Sequence, residues 1–240
     1  MELTPFHSHE DSMAAPVFEE SASLLMRNVF TWMFVALGIT AATAWLFAQS
    51  GLYMLMYTET SLSGFGWLVM FCPFVMVIAM SIGLHKMKTS TLILLFILYS
   101  FLMGISLSSI FLVYSGANIT TCFLIAAGMF GAMALAGYVT RMDLSRFGSI
   151  LFMALIGLVI ASLVSVFTHS TRFDWFISIG GVIIFAGLTA WDVNSIRRMS
   201  AYMEADSDTA RKVAVFCALS LYLDFINLFL FLLRLFGRSK

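Results

Sequence analysis

The sequence predicts an all-α integral membrane protein: a bundle of seven transmembrane helices with the last one central. Three observations carry this expectation. Of 240 residues, 61% are hydrophobic and only 11% charged, against roughly a quarter charged in an ordinary soluble domain. The apolar residues fall into continuous runs, not the alternating pattern of barrel strands, so the spans are helical. The last run carries a single polar seam on an otherwise apolar helix, the pattern of a helix surrounded by others. Mean hydropathy is +0.97, and a globular chain this apolar lacks the polar residues to cover itself; lipid removes that difficulty.

Residues 1–26 read as a polar N-terminal tail, expected to be disordered, and residues 27–240 as one seven-helix transmembrane domain. The tail holds His7, His9, Glu10 and Asp11, but no second ligand cluster faces them. Met1–Glu20 is acidic and lacks the basic region and apolar run of a signal peptide. A helix needs about 20 apolar residues to cross the hydrocarbon core. By that measure the spans lie near 29–49, 66–84, 92–114, 119–139, 149–168, 176–196 and 213–235. Span 3 carries Ser100, Gly104 and Ser108 at helix-packing spacing, and span 4 carries Gly128, Ala132 and Ala136. Such small-residue stripes let helix backbones approach closely in lipid. Cys72, Cys122 and Cys217 all fall inside apolar segments and read as small buried hydrophobes, not as a disulfide or metal framework.

Lys and Arg in short loops set orientation. Lys86 and Lys88 follow span 2, Arg141 and Arg146 follow span 4, and Arg197, Arg198, Arg211 and Lys212 follow span 6. The loops after spans 1 and 3 carry none, and that after span 5 only Arg172. With Arg27 just before span 1, this places the N-terminus in the cytoplasm of a multi-pass protein of the plasma or inner membrane. An odd number of spans then puts Arg234, Arg238 and Lys240 on the far side, against the rule. Net charge is zero, so there is no basic field for nucleic acid.

Ionisable groups inside spans are costly and therefore functional candidates. Asp192 in span 6 and Asp224 in span 7 stand well inside. Arg234 sits at the far end of span 7, where it can snorkel to the interface. Ser220, Asp224 and Asn227 share a helical stripe, and Thr189, Asp192 and Ser195 make a shorter one in span 6. The short connection between the spans makes them neighbours. Two carboxyl groups within hydrogen-bonding distance share a proton, because like charges cannot both ionise freely. Protonated, such a pair ties two helices together; deprotonated, it repels or binds a cation, and oxygen ligands are those Ca²⁺ takes. The plainer alternative is that each Asp bonds to Ser, Thr or backbone and simply holds the bundle.

The residues that carry this chemistry also carry a resemblance. Ala218-Leu219-Ser220-Leu221-Tyr222-Leu223-Asp224-Phe225-Ile226-Asn227-Leu228-Phe229 resembles the last span of the Bax inhibitor-1 (transmembrane Bax inhibitor motif) family. Gly187-Leu188-Thr189-Ala190-Trp191-Asp192-Val193 resembles its sixth span, and blocks at 107–111 and 137–145 resemble it too. The likeness runs from about residue 20 to 238 and is closest to the short bacterial members. It implies seven helices with the last wrapped by six, and a pH-sensitive Ca²⁺ leak gated by the aspartates matching Asp192 and Asp224. Ca²⁺ is then cargo, held in passing by that pair, and no cofactor is implied. Eukaryotic members are linked to protection from cell death, and a bacterial branch to control of a membrane-bound protease. Some members place an arginine in span 2 against the aspartates; here span 2 has none, and His85 and Lys86 are the nearest basic groups.

The functional expectation is thus a passive, pH-gated Ca²⁺ leak. The alternative is a non-transporting regulator that binds a membrane protease or stress-response partner through the acidic tail and the 197–212 loop (Glu204, Asp206, Asp208, Arg211, Lys212). An intramembrane aspartyl protease also puts one Asp on each of two spans. That class carries Tyr-Asp and Gly-x-Gly-Asp, whereas Asp192 follows Trp191 and Asp224 follows Leu223. His-Glu-x-x-His, Gly-x-Ser-x-Gly and phosphate-loop patterns are absent from the sequence, and span 7 has no lysine for a retinal Schiff base. No enzyme activity is expected.

Overall fold

The computed structural model describes residues 10–56, 58, 61–83, 86–140, 142, 144–168, 170–200 and 207–237, with side chains described from residue 23 onward except at 166. His7, His9, His85, Arg141, Glu204, Asp206, Arg238 and Lys240 lie outside the described residues, as do the side chains of Glu10 and Asp11. Among the described residues the regular structure is helical. The helices are α1 (Glu10–Gln49), α2 (Gly64–Gly83), α3 (Thr89–Leu107), α4 (Ile110–Val113), α5 (Gly116–Val139), α6 (Ser145–Thr168), α7 (Thr171–Ser200) and α8 (Asp208–Phe236). A 3₁₀ turn at Leu52–Met56 follows α1. Seven segments are long and apolar enough to cross a membrane, α3 and α4 together making the third. The expected count holds.

Local chemistry explains several boundaries. The Ser115 and Ser207 hydroxyls accept from the backbone N–H groups of Asn118 and Ala210, capping α5 and α8 where first-turn donors lack intrahelical partners. Gly51, at φ +73°, sits just past the end of α1 in the left-handed conformation common there. Pro73 lies inside α2 and offers no N–H to the ladder, a loss tolerated more readily in membrane helices. The polar N-terminal stretch departs from expectation. It is helical from Glu10 onward, continuous with α1, and Leu25 and Met26 are buried at 3% and 5% exposure. The bundle therefore begins earlier than residue 27, because those two side chains have core to pack against.

α8 is the axis of the bundle. In its most apolar window 67% of residues are buried, against 11% for α6. It packs on α7, α1, α5 and α3, while α2 sits chiefly on α3, and α6 on α7. The last helix is central as expected, although four helices form its immediate wall and two stand outside them. Large side chains of α8, among them Leu221, Tyr222, Leu228 and Leu233, are almost fully enclosed.

Close helix approaches occur at small residues, but only one expected stripe is used. Ser100, Gly104 and Ser108 are all buried; a Cβ on Gly104 would meet the Thr40 carbonyl oxygen and Thr43 of α1 at 2.7 and 2.6 Å. Gly128, Ala132 and Ala136 instead lie exposed on the outer face of α5. The buried face of α5 is Cys122, Ala126, Phe130, Ala134 and Gly137. Phe130 of that face and the partly exposed Phe123 beside it pack edge-on to Phe225 of α8, so ring packing joins a different set of small residues at that interface. Gly137 is the closest point of α5, set directly against the backbone of Ala190 in α7. Cys122 and Cys217 are buried, Cys72 is half-buried, and all three are free thiols.

Candidate functional site

The two carboxylates lie where α7 and α8 pack together. Asp192 is 9% exposed and Asp224 6%. Ser220 of α8 donates its hydroxyl proton to Asp192 Oδ2 at 2.5 Å. Asp192 stands within electrostatic reach of Asp224 and of Cys217, the neighbouring groups of the α8 seam. Asp224 Oδ2 is fully enclosed and, among the described residues, has no hydrogen-bond partner. The two aspartates thus differ: one is tied to the neighbouring helix by a hydroxyl, and the other carries an unmatched oxygen.

The remaining seam residues divide. Thr189 is wholly buried, and its hydroxyl donates to the Phe185 carbonyl one turn back, at 2.8 Å. The Asn227 amide likewise donates to the Leu223 carbonyl, at 2.8 Å. Asn227 also borders a cavity of about 400 Å³ between α2, α3 and α8, alongside Met70 and Met103. The stripe shared by Ser220, Asp224 and Asn227 therefore reaches two different neighbourhoods, because a helical rise of 1.5 Å per residue sets Asn227 about 10 Å along α8 from Ser220. Ser195 is half-buried near the end of α7. Of the expected supporting residues, Ser220 is the one bonded to a carboxylate.

Three polar clusters escaped the sequence reading. Asn194 is 3% exposed and donates to the carbonyls of Gly137 and Thr140 at 3.1 and 3.0 Å. Arg197 and Arg198 donate to the carbonyls of Tyr138 and Met142, at 2.5 and 2.6 Å. Together these side chains of α7 satisfy the acceptors that the end of α5 leaves open. On the other side of α8, the Tyr222 hydroxyl lies 2.8 Å from Thr40 Oγ1. The single Thr40 proton has two carbonyl acceptors at 2.9 Å, Ala36 and Ser100, so Tyr222 is the donor in that contact. At the opposite end of the bundle, Arg234 pairs with Asp174 at 2.6 Å, and Ser165 donates to the same carboxylate. Arg234, expected as an interfacial anchor, also ties α8 to the first turn of α7. A search for ionisable groups deep inside spans passes over Asn194 and Thr40, although a buried amide is also costly when unpaired.

A carboxylate oxygen enclosed in a low-dielectric bundle without a donor is costly. A proton or a cation neutralises it. α2, the span that lacks a basic residue, packs chiefly on α3 and brings no guanidinium to the pair. Among the described residues no three His, Cys, Asp or Glu side chains converge, so nothing resembles a resident metal centre.

Comparison with known proteins identifies relatives of the chain. The model of the family described as "Inhibitor of apoptosis-promoting Bax1" matches residues 22–240. The chain is 44% identical over 216 residues to the inner membrane protein YbhL of Escherichia coli, covering 90% of this chain and 92% of that one. It is 40% identical to an uncharacterized protein of Borreliella burgdorferi over 227 residues, covering 92% and 97%. A third relative, the uncharacterized protein RP147 of Rickettsia prowazekii, is 38% identical over 224 residues, with 93% of each chain covered. With seven apolar helices, α8 central among them, and these matches over most of its length, the chain belongs to the Bax inhibitor-1 family of membrane proteins.

Proposed function

We propose that this protein is a passive Ca²⁺ leak of the bacterial inner membrane, gated by protonation of Asp192 and Asp224. The observation that carries the reading is the enclosed Asp224 Oδ2, which has no donor and lies within electrostatic reach of Asp192. Protonated, the pair leaves α7 and α8 in contact and the path shut. Deprotonated, the carboxylates repel, α7 and α8 loosen, and a divalent cation is drawn between them. Among the described residues, Cys217 is a further titratable group near Asp192. Flux therefore rises as pH rises.

The placement of Lys and Arg in the loops supports a cytoplasmic N-terminus. The test is Ca²⁺ entry into liposomes holding the purified protein, from about pH 5.5 to about pH 8, a range that spans the titration of buried carboxylates. Wild-type entry should increase across that range, and the Asp192→Asn/Asp224→Asn double variant should be insensitive to pH. Equal flux and equal pH response in both proteins would sink the reading. Entry no faster than in empty liposomes would leave the non-transporting regulator, with a membrane-bound protease as its partner.

A further inference from the structure

α1 and α5 both wall α8, yet they barely touch each other. Between them runs an open groove of about 530 Å³. Met26, Phe30 and Phe34 line one side, Gly131 and Ala134 the other, and Phe225 of α8 closes the floor. Along α5 it runs from Ala127 to Tyr138. Those eleven steps cover about 16 Å at a helical rise of 1.5 Å, close to half of the ~30 Å hydrocarbon core. The groove is thus as long as one leaflet, apolar throughout that length, and open to lipid.

Its polar groups gather at one end, near the finish of α5 and of α7. Ser23 and Tyr138 border the mouth. Arg197 stacks on the Tyr138 ring, its guanidinium carbon 5.3 Å from the ring centre. Arg27 is exposed and lies one turn along α1 from Ser23 and one from Phe30, beside the lining and not in it. Two guanidinium groups therefore flank the headgroup end of a slot shaped for hydrocarbon. Basic clusters at membrane-helix ends attract anionic headgroups, and arginine forks suit phosphate oxygens.

We infer that the groove between α1 and α5 is a binding site for one anionic phospholipid, its phosphate held by Arg27 and Arg197 and an acyl chain laid along Gly131 and Phe225. This site is separate from the aspartate pair and does not depend on the leak reading. Such a lipid would wedge α1 and α5 at a fixed distance beside the central helix.

Native mass spectrometry of the full chain, released from neutral detergent, tests it with three probes. They are phosphatidylglycerol, phosphatidylcholine with the same acyl chains, and glycerol 3-phosphate. One phosphatidylglycerol should be retained in preference to phosphatidylcholine by on the order of tenfold, as two surface charges allow. Glycerol 3-phosphate should not be retained, since it brings no chain to the groove. A Cβ on Gly131 meets nothing within 4 Å, so Gly131→Leu should fold and melt like wild type while losing the lipid. Arg27→Gln, a change at an exposed side chain, should erase most of the preference for phosphatidylglycerol without altering melting. Equal retention of both phospholipids, undiminished lipid on Gly131→Leu, or a preference unchanged by Arg27→Gln would each overturn the inference. Retention of glycerol 3-phosphate alone would show an adventitious anion site in its place.

Discussion

Replacing Asp224 by leucine should stabilise the protein. Leucine has the branched shape of aspartate with methyl groups where the oxygens stand, and Asp224 Oδ2 is enclosed with no donor to lose. Relieving one unsatisfied buried polar atom is worth about 1–3 kcal/mol. For a chain of this size each kcal/mol moves the midpoint by about 2–4 °C, so a rise of roughly 2–12 °C is expected. Asp192→Leu should behave in the opposite way, because it strands the Ser220 hydroxyl that now donates at 2.5 Å. Thermal unfolding in detergent can be followed with a thiol-reactive dye, since Cys122 and Cys217 are buried in the folded bundle. A lower midpoint for Asp224→Leu, equal to or beyond that of Asp192→Leu, would refute the reasoning. Asp224 would then be a structural polar residue with a donor of its own, and the case for a poised carboxylate would fall with it.

Other positions give sharper structural tests. Gly137→Ala drives a methyl into the Ala190 backbone of α7, and such overpacking should cost about 1–3 kcal/mol in the same melting assay. Tyr222→Phe removes the donor to Thr40 Oγ1; it should cost about 0.5–1.5 kcal/mol, with Thr40 still served by the Ala36 and Ser100 carbonyls. Arg234 and Asp174 are 40% and 34% exposed, so a double-mutant cycle with Arg234→Gln and Asp174→Asn should return a coupling of no more than about 1 kcal/mol, weakened by salt.

Hydropathy is a local property, and whatever depends on it alone is legible in the chain itself. Seven apolar runs of spanning length determine seven helices, because lipid forces each run to satisfy its own backbone. The same logic singles out Asp192 and Asp224, since a carboxylate in such a run is conspicuous in any fold. The motif blocks around them were enough to point to the family that the comparisons bear out. The central position of span 7 was legible too, from a seam that lipid would not tolerate on an outer helix.

Tertiary structure decided what depends on which helix faces which. Gly128, Ala132 and Ala136 have packing spacing, but the small-residue pattern names a face without saying whether a neighbour occupies it; the ring contacts of Phe123 and Phe130 turned α5 the other way. Tyr222 and Thr40 are separated by 182 residues, and neither is unusual in an apolar span until they meet. Asn194 reads as an ordinary amide until the unsatisfied carbonyls at the end of α5 are placed beside it. Arg234 reads as a lone cation at a span's end until Asp174 of α7 is placed beside it. The sequence alone determined where charge is buried, since burial in lipid follows from local composition. Which oxygen goes unmatched, Asp224 Oδ2 and not Asp192 Oδ2, was decided only when α8 brought the Ser220 hydroxyl to Asp192 and left no donor beside Asp224.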